Sequence, residues 1–351
     1  MPDQTSDPPA DLSSEALTAL GWGDRVRALF ADLDVVGALP ARAVPARVVP
    51  ARVVRVERSS SVVATADGDR VARSEGLPAV GDWVAVELGD DDAAVVGVVP
   101  RWSELARLDP LGERVQVLAA NIDVVLIMAP ADRLSAARVE RELVVAWESG
   151  ARPVVVVTKA DLVDPGSDLI EDLRRRLVNA EVVLTSSATG EGIEAIAELL
   201  RPDRTAVLLG PSGAGKSTLA NALLGEQRLA TADVRTGDRR GRHTTTTRQL
   251  VTVPTGGTLI DTPGLRSLGL AGGTAGVDAA FADIEELATG CRFGDCRHDQ
   301  EPGCAVIAAA ADGTLDRDRL ASYRKLHLEQ AFEARRTDVR ARQEEKGRRK
   351  R

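Results

Sequence analysis

The sequence predicts an α/β domain built on a parallel sheet, with a small all-β barrel before it and a mainly helical region after it. Three observations carry this. Between Ala51 and Val99, short valine-rich runs alternate with turns containing Asp and Gly. Between Val115 and Leu270, apolar strands alternate with helical segments, the pattern of parallel strands joined by crossover helices. Beyond Leu270, a Gly-rich break leads into a mostly helical stretch that holds all three cysteines. The expected division of the 351 residues is 1–45 as extension and linker, 46–110 as barrel, 111–272 as α/β domain, and 273–351 as helical domain with a basic tail.

The N-terminal part opens with an amphipathic stretch, Leu17 to Leu33, that carries Trp22 and Phe30 on one helical face and is expected to dock. A repeat follows at Pro40, Pro45 and Pro50, each beginning Pro-Ala-Arg. Proline is excluded from central strands, so the repeat is expected to be a linker that enters a strand near Ala51. Strand-like segments then fall at Val53–Val56, Val62–Val63, Val71, Trp83–Val86 and Val95–Val99. About five short strands in so few residues point to an OB-fold barrel, a fold that often binds nucleic acid.

Composition sets the background. Aromatic residues make up only 3% of the chain, so Val, Leu, Ile and Ala must fill the cores. No apolar run reaches the length that spans a bilayer. The polar opening from Met1 to Ala10 excludes a secretory signal. A cytoplasmic, monomeric protein without membrane contact is expected. Net charge is −8, which argues against general coating of nucleic acid, yet Arg335 to Arg351 carries nine basic against three acidic residues. That tail is a contact to phosphate backbone or, the reading favoured for it alone, a frayed solvated end.

The chemistry begins at Gly210-Pro211-Ser212-Gly213-Ala214-Gly215-Lys216-Ser217, which follows the apolar run Ala206–Leu209 and precedes a helical pattern from Thr218. Strand, glycine loop and helix in that order make a phosphate cradle of backbone N–H groups. Lys216 is expected to reach the β- and γ-phosphates, and Ser217 to ligate Mg²⁺. Asp261-Thr-Pro-Gly264 ends the run Thr258–Ile260; Asp261 is suited to the Mg²⁺ water shell and the Gly264 N–H to the γ-phosphate. Thr158-Lys159-Ala160-Asp161 ends another strand, and the Asp161 carboxylate can accept from guanine N1–H and N2–H, a donor pair that adenine lacks. Ser186-Ser187-Ala188 suits a loop that closes over the base, although alone it reads as a helix cap.

His243 precedes Thr244–Thr247 where a switch loop should lie, and one of these threonines would complete the magnesium shell. Leu265 follows Gly264 where many GTPases place a glutamine. An apolar residue cannot orient water, so His243 is the candidate to do so. Cys291, Cys296, His298 and Cys304 supply three thiolates and one imidazole within fourteen residues, the set for a closed structural Zn²⁺ site. His327 receives no role. Two other readings remain on these residues: an RNA-binding scaffold locked by nucleotide, and a P-loop ATPase or kinase.

The motif order is unusual. The base-reading residues Asp161 and Ser187 precede Lys216 and Asp261, the reverse of ordinary GTPases. The same sheet can be wired so if its old termini are joined and a new break is opened after the Asp261 motif. With Leu20-Gly-Trp22, Gly81-Asp-Trp-Val84, Ala120-Asn-Ile-Asp123 and Gly241-x-His243-Thr-Thr-Thr246, the set resembles the RsgA (YjeQ) family of circularly permuted GTPases across nearly the whole chain. The resemblance implies an OB-fold, a GTPase domain and a zinc domain. It also implies rRNA binding through the two outer domains and GTP hydrolysis stimulated by the bacterial small ribosomal subunit during late maturation. By the same resemblance Thr245 is the switch threonine, acting with His243 and Lys216 in catalysis. Thr158 stands where the family pattern has Asn, which removes an amide that braces the base site.

Overall fold

The computed structural model describes residues 15–33, 47–57, 59–74, 76, 78–89, 92–108, 115–164, 167–225, 248–261 and 274–348. Five strands close the barrel: β1 (Arg47–Val56), β2 (Ser61–Thr65), β3 (Gly68–Arg73), β4 (Trp83–Leu88) and β5 (Ala93–Val98). Their order is β1-β2-β3-β5-β4, and β4 returns to β1, leaving no edge. Val49, Ala51, Val53, Val63, Ala72, Val84, Val86 and Ala93 fill the interior, all small enough for so narrow a barrel. Strand β1 begins a few residues before the strand expected near Ala51, so Pro50 lies inside it, while Pro40 and Pro45 of the repeat lie outside the described residues. The ladder explains it: Arg47 to Arg52 pair with β4, whereas pairing with β2 begins only at Arg52. Pro50 therefore has one unpaired side, where a missing N–H is tolerated.

The expected docking stretch is two helices, α1 (Glu15–Ala19) and α2 (Asp24–Ala31), broken at Gly21, whose φ of 94° suits glycine. Leu17, Trp22 and Val26 are buried against Trp83 and Val99 of the barrel, with the two indoles 5.0 Å apart. A hairpin of β6 (Glu104–Leu108) and β7 (Val115–Ala120), which sequence reading missed, leads into the second sheet.

That sheet runs β10 (Glu181–Leu184), β9 (Arg152–Thr158), β8 (Val124–Pro130), β11 (Thr205–Leu209), β13 (Thr258–Asp261) and β12 (Gln249–Thr252). Pairings among β8, β9, β10, β11 and β13 are parallel, whereas β12 pairs antiparallel with β13 and, at Gln249 and Arg55, with β1 of the barrel. Alternate residues of β8 face opposite cores: Val125, Ile127 and Ala129 one way, Val124, Leu126 and Met128 the other. Helix α3 (Ala136–Glu148) covers the first face with the C-terminal helices. Helices α5 (Ile193–Leu199) and α6 (Lys216–Leu224) cover the second, and α4 (Leu169–Arg176) lies beside α3.

Barrel and sheet meet around Arg52, which is only 1% exposed. Its guanidinium donates to the carbonyls of Leu20 and Gly81 and to the hydroxyls of Thr205 and Thr258, and lies over the Trp83 ring. Burial pulls its pKa down to about 10 against the opposing pull of Asp123 and Asp82. Gly81 is required at this joint, since a Cβ there would lie 2.2 Å from the Ala120 carbonyl. Asp82, fully buried, accepts two bonds of 2.7 Å from Arg101, and Asn121 donates to the Gly81 carbonyl at 3.1 Å. The N-terminal motifs thus build a rigid joint at the starts of β11 and β13, the end of the sheet away from Gly210.

The C-terminal region comprises α7 (Ala275–Ala280), α8 (Ala282–Ala288), α9 (Ala305–Asp312) and α10 (Arg317–Arg348). Against the favoured expectation of a frayed basic end, α10 continues as helix to Arg348. Its Arg319, 2% exposed, donates to Asp283 at 2.8 and 2.5 Å, to Glu140 of α3 at 3.3 Å and to the Ala280 carbonyl at 3.0 Å. Arg176 of α4 completes the cluster with bonds of 2.7 and 3.0 Å to Glu140. Buried, fully bonded charges of this kind fix one docking geometry. Among the described residues no helix is long and apolar enough to cross a membrane.

Candidate functional site: nucleotide loops and a metal centre

The C-terminal ends of β8, β9, β11 and β13 open on one edge of the sheet, the end where ligands bind in parallel α/β folds. The loop from Gly210 to Lys216 leaves β11 and enters α6 with positive φ at Gly210, Gly213 and Gly215. A Cβ at Gly210 would meet the Met128 carbonyl at 2.9 Å, so only glycine lets the loop lie across β8. Lys216 Nζ donates to the carbonyls of Gly210 and Pro211 at 2.8 and 2.7 Å, which lays the ammonium along the loop. Ser217 and Thr218 occupy the first turn of α6, where backbone N–H groups point outward. Asp261 ends β13 in the next strand over; burial raises its pKa, and Lys216 opposes the shift.

At the neighbouring strand end, Thr158 answers the expectation of a lost brace. Its Oγ1 donates to the Ala214 carbonyl at 2.8 Å, so a hydroxyl ties the base loop to the phosphate loop where an amide was expected. Lys159 takes a left-handed backbone with φ of 57°. Asp161 is exposed and oriented from behind: the buried Ser186 Oγ donates to its Oδ1 at 2.6 Å. Ser186 Oγ also accepts from the N–H groups of Ala188 and Thr189, at 3.2 Å each, which folds the exposed Ser187-Ala188 turn beside Asp161. The structure therefore brings residues 158–161, 186–188, 210–218 and 261 to one end of the sheet. His243, Thr245 and Gly264 lie outside the described residues.

Glu142 of α3 escaped the sequence reading, since nothing in a helical run marks one glutamate. Among the described residues its Oε2 is buried with no hydrogen-bond partner, and burial pushes its pKa up to about 7, with Arg138 and Lys216 opposing. The folded protein then holds an extra proton between the ordinary value of 4.5 and about 7, so stability falls as pH rises through that window. Glu142→Gln is expected to flatten this slope and to add about 2 kcal/mol at pH 8. Urea unfolding at pH 5.5 and pH 8 checks it, and parallel pH profiles for both proteins would contradict it.

A second cluster forms where α8 gives way to α9. Cys291 Sγ lies 3.7 Å from Cys304 Sγ and 3.6 Å from His298 Nδ1, and His298 Nδ1 lies 3.4 Å from Cys304 Sγ. With Cys296, all four donor atoms fall within 4.8 Å of one another. A tetrahedron around a metal bonded at about 2.0–2.3 Å has edges of roughly 3.3–3.8 Å, so Cys291, His298 and Cys304 already stand at ligand spacing, with Cys296 close by. Local chemistry favours a cation. Burial lowers the His298 pKa and keeps the imidazole neutral. Burial works against ionised Cys291, but N–H groups of Val306 and Ala305 and the other two thiols outweigh it and hold its pKa low. The Cys296 thiol is pushed up to about 11, by burial and by the other two thiols. Three sulfurs this close ionise together only around a positive charge, and the four residues can hold a metal ion.

The fold and the loops at one end of its sheet define a P-loop GTPase whose chain is circularly permuted. The family model for RsgA GTPase matches residues 98–271. The small ribosomal subunit biogenesis GTPase RsgA of Streptomyces coelicolor is 46% identical, covering 94% of this chain and 90% of its own. The protein of the same name from Opitutus terrae is 44% identical, covering 92% of each. Among solved structures, YjeQ from Thermotoga maritima matches with a TM-score of 0.61 at 25% identity, over 81% of this chain and 99% of its own. YloQ, described as a circularly permuted GTPase, shares the fold with a TM-score of 0.59 at 24% identity over 81% and 95%. The chain belongs to the RsgA family and is a GTP-hydrolysing enzyme.

Proposed function

We propose that this protein couples GTP hydrolysis to late maturation of the small ribosomal subunit. It acts in the cytoplasm as a monomer and touches rRNA through the barrel and the C-terminal module. The division at 46–110, 111–272 and 273–351 serves that purpose: two binding modules flank one nucleotide switch. The observation that supports the coupling most is topological. Asp261 ends a strand beside the phosphate loop, and after thirteen further residues the chain enters α7, which is packed on α3. In the permuted order, whatever follows the γ-phosphate pulls directly on the C-terminal module.

In this reading GTP lies across the strand ends. Asp161 reads guanine, with Thr158, Lys159 and the Ser186-Ser187-Ala188 turn around the base. The N–H groups from Gly210 through Thr218 and the Lys216 ammonium hold the phosphates. Ser217, Thr245 and Asp261 would hold Mg²⁺, which would supply charge neutralisation at the phosphates, and the Gly264 N–H would serve the γ-phosphate. His243 positions the attacking water in place of the glutamine that Leu265 cannot replace. The Cys291, Cys296, His298 and Cys304 set takes Zn²⁺ in a structural role, because three thiolates and one imidazole suit that ion and leave no open position. Cosedimentation with purified small subunits tests the coupling. Binding should be stronger with a non-hydrolysable GTP analogue than with GDP; equal binding in both states contradicts it.

A further inference from the structure

The short turn between β8 and α3, Ala131–Arg133, opens between the base loop and the phosphate loop, because β8 lies between β9 and β11 in the sheet. Two consecutive side chains reach opposite ways from it. Asp132 Oδ2 accepts from Lys159 Nζ at 2.7 Å. Arg133 Nη2 donates to the Ser212 carbonyl at 3.0 Å. A Cβ on Gly213 would lie 2.6 Å from that same nitrogen, so the guanidinium rests directly against the tip of the loop. Arg133 Nε also lies 3.8 Å from Asp132 Oδ1, which ties the two side chains together.

We propose that Arg133 is a positioning residue for the phosphate loop, acting with Thr158 as a clasp on two of its carbonyls. The argument is the planarity of the peptide bond. In a trans peptide the carbonyl and the next N–H point in opposite directions. The Ser212 carbonyl held outward by Arg133 turns the Gly213 N–H the other way. The Ala214 carbonyl held by the buried Thr158 does the same for the Gly215 N–H. Glycines at 213 and 215, with φ of 71° and 88°, have little intrinsic preference for this orientation, so an external donor has something to fix. The two N–H groups are thereby set inward before phosphate arrives, and anion binding by a backbone cradle depends on that alignment. Asp132 holds Arg133 and Lys159 in one network, which also fixes the spacing between base and phosphate loops.

This inference rests on the cleft being the GTP site. The test is release of fluorescently labelled GDP and GTP from the full-length protein, with Arg133→Ala and Arg133→Lys. Arg133→Ala should speed release of both nucleotides about tenfold. The preference for GTP over inosine triphosphate should stay as in the wild type, because Asp161 and not Arg133 faces the 2-amino group. Arg133→Lys should recover most of the loss, since one cationic donor suffices for one carbonyl. A purely structural role would lower the melting temperature without this split. Release within twofold of wild type in Arg133→Ala, or a changed guanine-to-inosine preference, overturns the clasp. A wild-type protein that fails to retain guanine nucleotide at all overturns the GTP-site reading instead.

Discussion

Asp161→Asn is expected to weaken GTP binding by about three orders of magnitude and to make xanthosine triphosphate the better ligand. The Ser186 hydroxyl is what makes the outcome specific. It donates to Asp161 Oδ1 at 2.6 Å and would keep the asparagine oxygen in the same place. The new NH₂ group then replaces the exposed carboxylate oxygen and meets the guanine amino group with a donor of its own. One charge-assisted bond is lost to a mismatch and the other becomes a neutral one, which supports a loss of this size. Xanthine carries a carbonyl at the position of the guanine amino group, so the amide becomes complementary to it. Competition binding with GTP, ATP and xanthosine triphosphate checks both halves. Wild-type protein binding ATP as tightly as GTP would remove the role given to Asp161.

The second large effect concerns the metal cluster. Cys304→Ser, or chelation of the wild type, should remove one metal ion per chain and melt the region from α7 to α9 ahead of the parallel sheet. Cys304 is 5% exposed, lies within 3.7 Å of two other donors, and accepts the Ile307 N–H that begins α9. The helices α7, α8 and α9 have six, seven and eight residues, too short to persist on propensity alone. A structural zinc site contributes on the order of 10 kcal/mol to such folds. Helix α10 should remain docked, because Arg319 holds Glu140 of α3, which does not depend on the cysteines. Metal analysis and hydrogen exchange distinguish the outcomes: full metal content, or unchanged protection across α7 to α9, would contradict the prediction.

The parts of this protein legible in its sequence are those with a local cause. Gly210, Gly213, Gly215 and Lys216 declare themselves because only glycine adopts the loop's backbone, and the apolar strands declare themselves because both faces of the sheet are buried. The cysteines do so because thiols at ligand spacing have few other uses. What escaped depends on partners distant in the chain. Arg47 and Arg52 stand in similar Pro-Ala-Arg repeats, yet Arg47 is exposed while Arg52 is buried against Thr205 and Thr258. Pro50 sits in a strand because its second neighbour begins two residues later, a fact of register. Asp132 and Arg133 lie in an ordinary turn, and only the sheet order places that turn between the two nucleotide loops. The motifs Gly81-Asp82-Trp83 and Asn121 were legible as a family signature while their work, the joint around Arg52, was not.

That division bears on function. The Arg52 guanidinium at one end of the sheet is buried and hydrogen-bonded, and so is the Arg319 cluster that docks α10 on α3 and α8. Both outer modules are thus held firmly on the described parts of the GTPase domain, and in the proposed coupling nucleotide state reaches the C-terminal module along the chain that joins Asp261 to α7. Turnover should then depend on what that module touches. The decisive measurement is GTP turnover by the purified protein with and without purified small ribosomal subunits. Weak turnover alone and marked stimulation by the subunits is the predicted result; equal turnover in both conditions would contradict the coupling.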